Sequence, residues 1–143
     1  MVVQPLRDHD SMEIIVSNGN ASAFLIPNKT TLTVGNETSI HALDNCQINT
    51  GGNAYVQCRT HCVISAGSDC TIDAGDFSRI QTGPDSKVIV GPGSVVSAGD
   101  NSEIRFTWWF GNKLEVTVCR IGKNGILPNT PYKIIDGRIN VVN

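Results

Sequence analysis

The stretch Ala66-Gly67-Ser68-Asp69-Cys70-Thr71-Ile72-Asp73-Ala74-Gly75-Asp76-Phe77-Ser78-Arg79-Ile80-Gln81-Thr82-Gly83 decides the fold, because it states one eight-residue pattern twice. A small residue, a branched aliphatic and a second small residue occupy alternate positions (Cys70, Ile72, Ala74; then Ser78, Ile80, Thr82), and a glycine follows. The aliphatic recurs without slip at Ile40, Ile48, Val56, Ile64, Ile72, Ile80, Val88, Val96 and Ile104. A fixed internal period outranks local propensity in fixing a fold.

Two positions before each aliphatic stand Thr38, Cys46, Ala54, Cys62, Cys70, Ser78, Ser86, Ser94 and Ser102, all small. Two positions after it come Ala42, Thr50, Cys58, Ala66, Ala74, Thr82, Val90 and Ala98, until Phe106 ends the series. Side chains alternate across a strand, so offsets −2, 0 and +2 share an inward face, and offsets −1 and +1 point out. Gly51, Gly67, Gly75, Gly83, Gly91 and Gly99 at offset +3 read as turn residues that supply positive φ.

Two octads make a 16-residue coil with one strand on each side. The predicted fold class is therefore all-β: a small two-sided parallel β-solenoid over residues 34–106, with a narrow interior of small and branched side chains. About four and a half coils at ~4.8 Å per strand give a stack roughly 22 Å tall.

A stack leaves open strand edges at its ends, which invite other chains unless covered. Residues 1–33 are expected to form the first cover as a hairpin, with Glu13-Ile14-Ile15-Val16 and Ala23-Phe24-Leu25-Ile26-Pro27 flanking an Asn18-Gly19 turn. Residues 107–143 are expected to form a C-terminal β cap. There Leu114 to Ile121 alternates as a strand, Tyr132 to Val142 reads as another, and the large side chains absent from the coils gather around Phe106, Trp108, Trp109 and Phe110. The whole is one compact domain, the default for 143 residues.

The segments Ala66 to Ile72 and Ala74 to Ile80 resemble the octapeptides of bacterial ice-nucleation proteins, whose central region is organised in 16-residue units. The tail from Trp108 through Gly125-Ile126 to Tyr132 resembles the ends of uncharacterised bacterial and prophage octad-repeat proteins. The first resemblance implies a solenoid and, with it, outward Thr-x-Thr ladders that order water. The outward pairs are instead mixed: Tyr55/Gln57, Thr71/Asp73, Lys87/Ile89 and Glu103/Arg105 on one sheet, Val63/Ser65, Arg79/Gln81 and Val95/Ser97 on the other. A surface matched to a lattice repeats, and one matched to a protein varies from rung to rung.

Catalytic residues, cofactors and metal sites are expected to be absent. His9, His41 and His61 are scattered, and no paired carboxylates, nucleophile elbow or phosphate loop is present. The cluster Cys58-Arg59-Thr60-His61-Cys62, with Cys46 one coil below, has a composition suited to zinc, but its cysteines fall on inward offsets and read as small core residues. A Cys46–Cys62 disulfide between stacked coils is geometrically conceivable, though reduced thiols are the simpler reading of five cysteines, an odd number. Asp44, Asp69, Asp76, Asp85 and Asp100 sit at turns. Calcium-binding β-rolls place Asp at such turns with a period of nine; the period of eight here favours turn formation. Hexapeptide-repeat acyltransferases are excluded by their period of six and three-sided coil.

Net charge is −2, with 11 basic and 13 acidic residues, which gives no field for nucleic acid or anionic membrane. No apolar run approaches the length of a bilayer span, and charged residues interrupt the N-terminus, so a cytoplasmic location is expected. The remaining expectation is a non-enzymatic module that binds a protein partner and forms homo-oligomers, in the setting of a phage-borne or accessory factor acting on a host protein. Self-assembly into a structural solenoid and ice binding are the alternatives. Interaction candidates are the outward residues Tyr55, Val63, Arg79, Ile89 and Val95, and the cap aromatics Trp108, Trp109 and Phe110.

Overall fold

The computed structural model describes residues 12–15 and 23–142, and among them there is no helix. Strands follow one another at nearly even spacing: β1 (Met12–Ile15), β2 (Ala23–Ile26), β3 (Thr30–Thr33), β4 (Ser39–Ala42), β5 (Gln47–Asn49), β6 (Tyr55–Gln57), β7 (Val63–Ser65), β8 (Thr71–Ala74), β9 (Arg79–Gln81), β10 (Lys87–Val90) and β11 (Val95–Ser97). Then come the longer β12 (Glu103–Phe110) and β13 (Lys113–Arg120), followed by β14 (Tyr132–Ile135) and β15 (Arg138–Val141). Odd and even strands up to β12 separate into two parallel sheets, and Lys87 pairs with both Thr71 and Glu103, so one coil is 16 residues. The protein is a two-sided parallel β-solenoid of about five turns.

The interior is the column that the octad pattern placed there. Ile40, Ile48, Val56, Ile64, Ile72, Ile80, Val88, Val96 and Ile104 are all buried, flanked by the buried small residues of offsets −2 and +2. Their burial is the main stabilising term, at roughly 25 cal/mol per Å² of apolar surface removed from water.

The N-terminal expectation is corrected. β1 pairs in parallel with β3, and β2 pairs in parallel with β4, so the two stretches read as a hairpin lie in opposite sheets and continue the stack. The reason is visible in the phase: buried Phe24 and Leu32 stand eight apart and in step with Ile40, so burial on the next coil outweighs local turn chemistry. Ile14 pairs with Leu32, a step of 18, so β1 enters the stack with two extra residues. The Asn18-Gly19 turn lies outside the described residues.

The glycine reading is corrected as well. The left-handed residue of each octad is at offset −3, at Glu37, Asn45, Asn53, His61, Asp69, Phe77, Asp85, Gly93 and Asn101, with φ between 54° and 79°. The offset +3 glycines serve close stacking instead: a Cβ on Gly67 would lie 2.9 Å from the Gly52 nitrogen of the coil below, and one on Gly99 2.5 Å from the Pro84 nitrogen. Backbone approach at the corner, not φ, excludes a side chain there.

At the C-terminal end, both sheets finish in antiparallel hairpins. β12 pairs along its whole length with β13, from Glu103–Arg120 to Phe110–Lys113, through the two-residue loop Gly111-Asn112. Tyr132 to Val142 forms two strands instead of one: β14 joins β11 at Val96–Tyr132 and turns back at Asp136-Gly137 into β15. Tyr132 is buried, and its hydroxyl accepts from the Leu127 N–H at 2.8 Å.

Candidate interaction surface

Within the coils, the expected outward residues project as the register requires, but each is isolated. Tyr55 pairs laterally with Ser39 and Thr71, and its ring lies 6.2 Å from that of His41. Ile89 is flanked by Asp73 and Arg105. On the other sheet Arg79 stands between Val63 and Val95, and with Gln81, Ser97 and Pro131 they line an open depression. Every apolar outward residue of the coils therefore has a polar or charged lateral neighbour.

The cap aromatics divide by strand parity. Trp108 faces inward with buried Ile104 and Phe106 and is partly buried. Its Nε1 donates to Thr117 Oγ1 at 2.9 Å, and its ring lies over Gly137, where a Cβ would come within 2.7 Å of it. The β12–β13 hairpin thus closes over β14–β15, and burial of the last rung falls to Phe106, Trp108 and Tyr132. Trp109, of the opposite parity, is not part of that cover and is 58% exposed, while Phe110 shares the parity of Trp108 and meets its ring edge-on at 6.1 Å but is 69% exposed at the end of the strand.

On the outer face of the hairpin, Trp109 is paired with Leu114, Thr107 with Val116, and Arg105 with Val118. Leu114, Val116 and Val118 are 49%, 54% and 42% exposed, so they make an apolar stripe along β13 that Trp109 of β12 widens at its loop end, with Thr107 and Arg105 beside the rest of it. Glu103 closes its base, 3.8 Å from Arg105 and 3.4 Å from Arg120. An apolar centre with a charged border is the anatomy of a protein-binding patch.

The sequence pattern marked Trp109 and Phe110 but missed Leu114, Val116 and Val118. Alternation in β13 was legible; which of its faces finds cover was not.

The residues considered for chemistry are structural in their contacts. Cys46, Cys58, Cys62, Cys70 and Cys119 are free and buried. Cys46 donates to the Pro27 carbonyl at 3.1 Å, Cys62 to Leu43 at 3.3 Å and Cys70 to Gly51 at 3.4 Å, each reaching the preceding coil. A hydrogen bond with Cys46 lowers the Cys62 thiol, but the bond with Cys58 and burial push it up to about 11, and burial also pushes Cys119 up to about 11. His61 stacks on Phe77 with ring centres 5.4 Å apart. Among the described residues no group of three or more His, Cys, Asp or Glu is arranged to hold a metal ion.

Asp44 is a corner acceptor. Its Oδ1 accepts from the Thr60 N–H at 3.0 Å and the Thr60 hydroxyl at 3.1 Å, with Arg59 Nε at 3.7 Å. Asn28 and Asn36 accept from the Asp44 and Gly52 N–H groups in the same manner, 16 residues on. These donors hold the Asp44 carboxyl below the usual carboxylate range, the Thr60 backbone bond foremost.

No family model, curated protein or solved structure matches the chain.

Proposed function

We propose that the protein is a non-enzymatic interaction module: the stacked coils are a rigid support, and the outer face of β12–β13 is the surface that docks a protein partner. One observation carries this reading, the exposed contiguous stripe of Trp109, Leu114, Val116 and Val118. Leaving such a stripe in water forgoes the burial on which the rest of the molecule is built, and a tryptophan beside branched aliphatics is the composition that anchors interfaces. The setting we assign, on the resemblance of the tail from Trp108 to Tyr132 to the ends of bacterial and prophage octad-repeat proteins, is a phage-borne or accessory factor acting on a host protein.

Ice binding is the weaker reading, since the outward columns such as Tyr55, Thr71, Lys87 and Glu103 carry no repeated threonine. Self-assembly draws support from the edge of β13, which has no pairing strand on that side among the described residues.

The test is affinity capture from source-cell lysate with wild-type protein, a Trp109→Ser/Val116→Ser variant, and a Val63→Ser/Arg79→Ser variant on the solenoid face. The reading expects one bound protein, lost only with the hairpin variant while its circular dichroism stays native. Equal recovery with all three would remove the hairpin from the account.

A further inference from the structure

The stripe ends at a strand edge, and that edge identifies its occupant. β13 is the last strand of its sheet and, among the described residues, has a neighbour on one side only. The Ile121 N–H donates to the Ser102 carbonyl at 3.0 Å, which fixes the phase of the antiparallel ladder. Hydrogen-bonded pairs alternate along such a ladder, so residues 113, 115, 117 and 119 turn their backbone groups to β12. Leu114, Val116 and Val118 turn theirs to the open edge. Edge strands are ordinarily short or interrupted by proline, inward charge or a bulge. β13 is eight residues long with neither proline nor bulge, and its inward Glu115 is paired with Lys113 at 3.7 Å.

We infer that β13 pairs antiparallel with β13 of a second copy of this chain about a two-fold axis at Val116, joining the two seven-stranded sheets into one. The inference rests on the reading of the hairpin as the interaction surface and names its partner. The strand is self-complementary in that register. Val116 meets Val116, Leu114 meets Val118, and both pairs lie on the outer face, so the stripes of the two copies run together. Each such pair has both backbone donors and acceptors aimed at the seam, giving six N–H to carbonyl bonds around the axis. Glu115 meets Thr117. A shift of the axis by one residue toward the loop would set Glu115 against Glu115, like charges directly opposed in a non-hydrogen-bonded pair, which is destabilising.

The test is sedimentation velocity of the full chain over a concentration series, with Val116→Pro and Val116→Ile. Proline removes the edge N–H of Val116 but no donor to β12, so the fold survives, as circular dichroism will register. The inference expects twice the 15.3 kDa chain mass for wild type and Val116→Ile, and monomer for Val116→Pro. A wild-type monomer at every concentration overturns the dimer yet leaves the hairpin free to bind another protein. A dimer that persists in a natively folded Val116→Pro overturns the edge assignment. Undiminished lysate capture by the Trp109→Ser/Val116→Ser variant would instead remove the broader reading.

Discussion

The Ser94 hydroxyl accepts a hydrogen bond from the Ser78 backbone N–H at 3.1 Å, one coil below it. The same hydroxyl donates to the Gly75 carbonyl at 3.1 Å. Ser102 repeats the arrangement with the Ser86 N–H at 3.1 Å and the Gly83 carbonyl at 3.3 Å. The corner carbonyls also accept from the next coil, as Gly75 does from the Gly91 N–H at 3.3 Å, so the serine hydroxyl adds a second donor there and supplies the acceptor for the buried offset −2 N–H of the preceding coil. The cysteines of the lower coils fill the donor half of that role through the weaker S–H group, at 3.1–3.4 Å from a carbonyl of the preceding coil.

Replacing Ser94 by Ala leaves the buried Ser78 N–H without its acceptor, while the Gly75 carbonyl keeps the Gly91 N–H at 3.3 Å. We expect a loss of about 1–3 kcal/mol in urea unfolding. Thr82 is the opposite case: its hydroxyl is buried and makes no hydrogen bond. Thr82→Val keeps the shape and removes the orphan, so its unfolding midpoint should equal or exceed the wild-type value.

Corner geometry predicts two further substitutions of opposite sign. Gly67→Ala places a Cβ 2.9 Å from the Gly52 nitrogen, forces adjacent coils apart, and should lower stability by more than ~1 kcal/mol. Glu37 is exposed and held at φ 59°, where asparagine is better tolerated; Glu37→Asn should raise the thermal midpoint.

Both roles show what the sequence could and could not tell. The inward column was legible because small, branched, small at alternate positions has one geometric solution, and the two-sheet stack follows from it. The role of the glycines was not, since Gly at a corner serves φ or close approach equally well in a written pattern. Phe24, read as part of a hairpin, and Leu32 depart from the Ile and Val of the octads, though they keep the phase. In β13, Lys113 to Arg120 alternates as a strand with a core on one side, and only the fold reveals that the Leu114-Val116-Val118 side meets no cover among the described residues.

Asp44 gives the stability curve an acid limb. Its folded-state affinity for a proton is depressed below the ordinary value near 3.8, so its stabilisation is fully present above that value and is lost as pH falls through the folded-state value. Asp44→Asn keeps an acceptor for Thr60, as Asn28 and Asn36 do for their corners, and removes the titration. Between pH 5 and pH 2, urea midpoints should fall less steeply for Asp44→Asn than for wild type.

With Cys62 and Cys119 near 11 and all five cysteines buried, native thiols should resist alkylation. At pH 8, fewer than about one in a hundred of either thiol is ionised, and none faces solvent. Mass spectrometry after iodoacetamide should show unmodified native protein and five adducts in urea. Rapid native labelling of Cys62 would mean that the lower coils open.

The claim that the outer hairpin face is the docking surface is tested most directly by photocrosslinking in the source cells, with benzoylphenylalanine placed at Trp109 in one variant and at Arg79 in another. The account predicts a discrete protein adduct from position 109, either a second copy or another protein, and none from position 79. Adducts from position 79 alone, or equally from both, would contradict it.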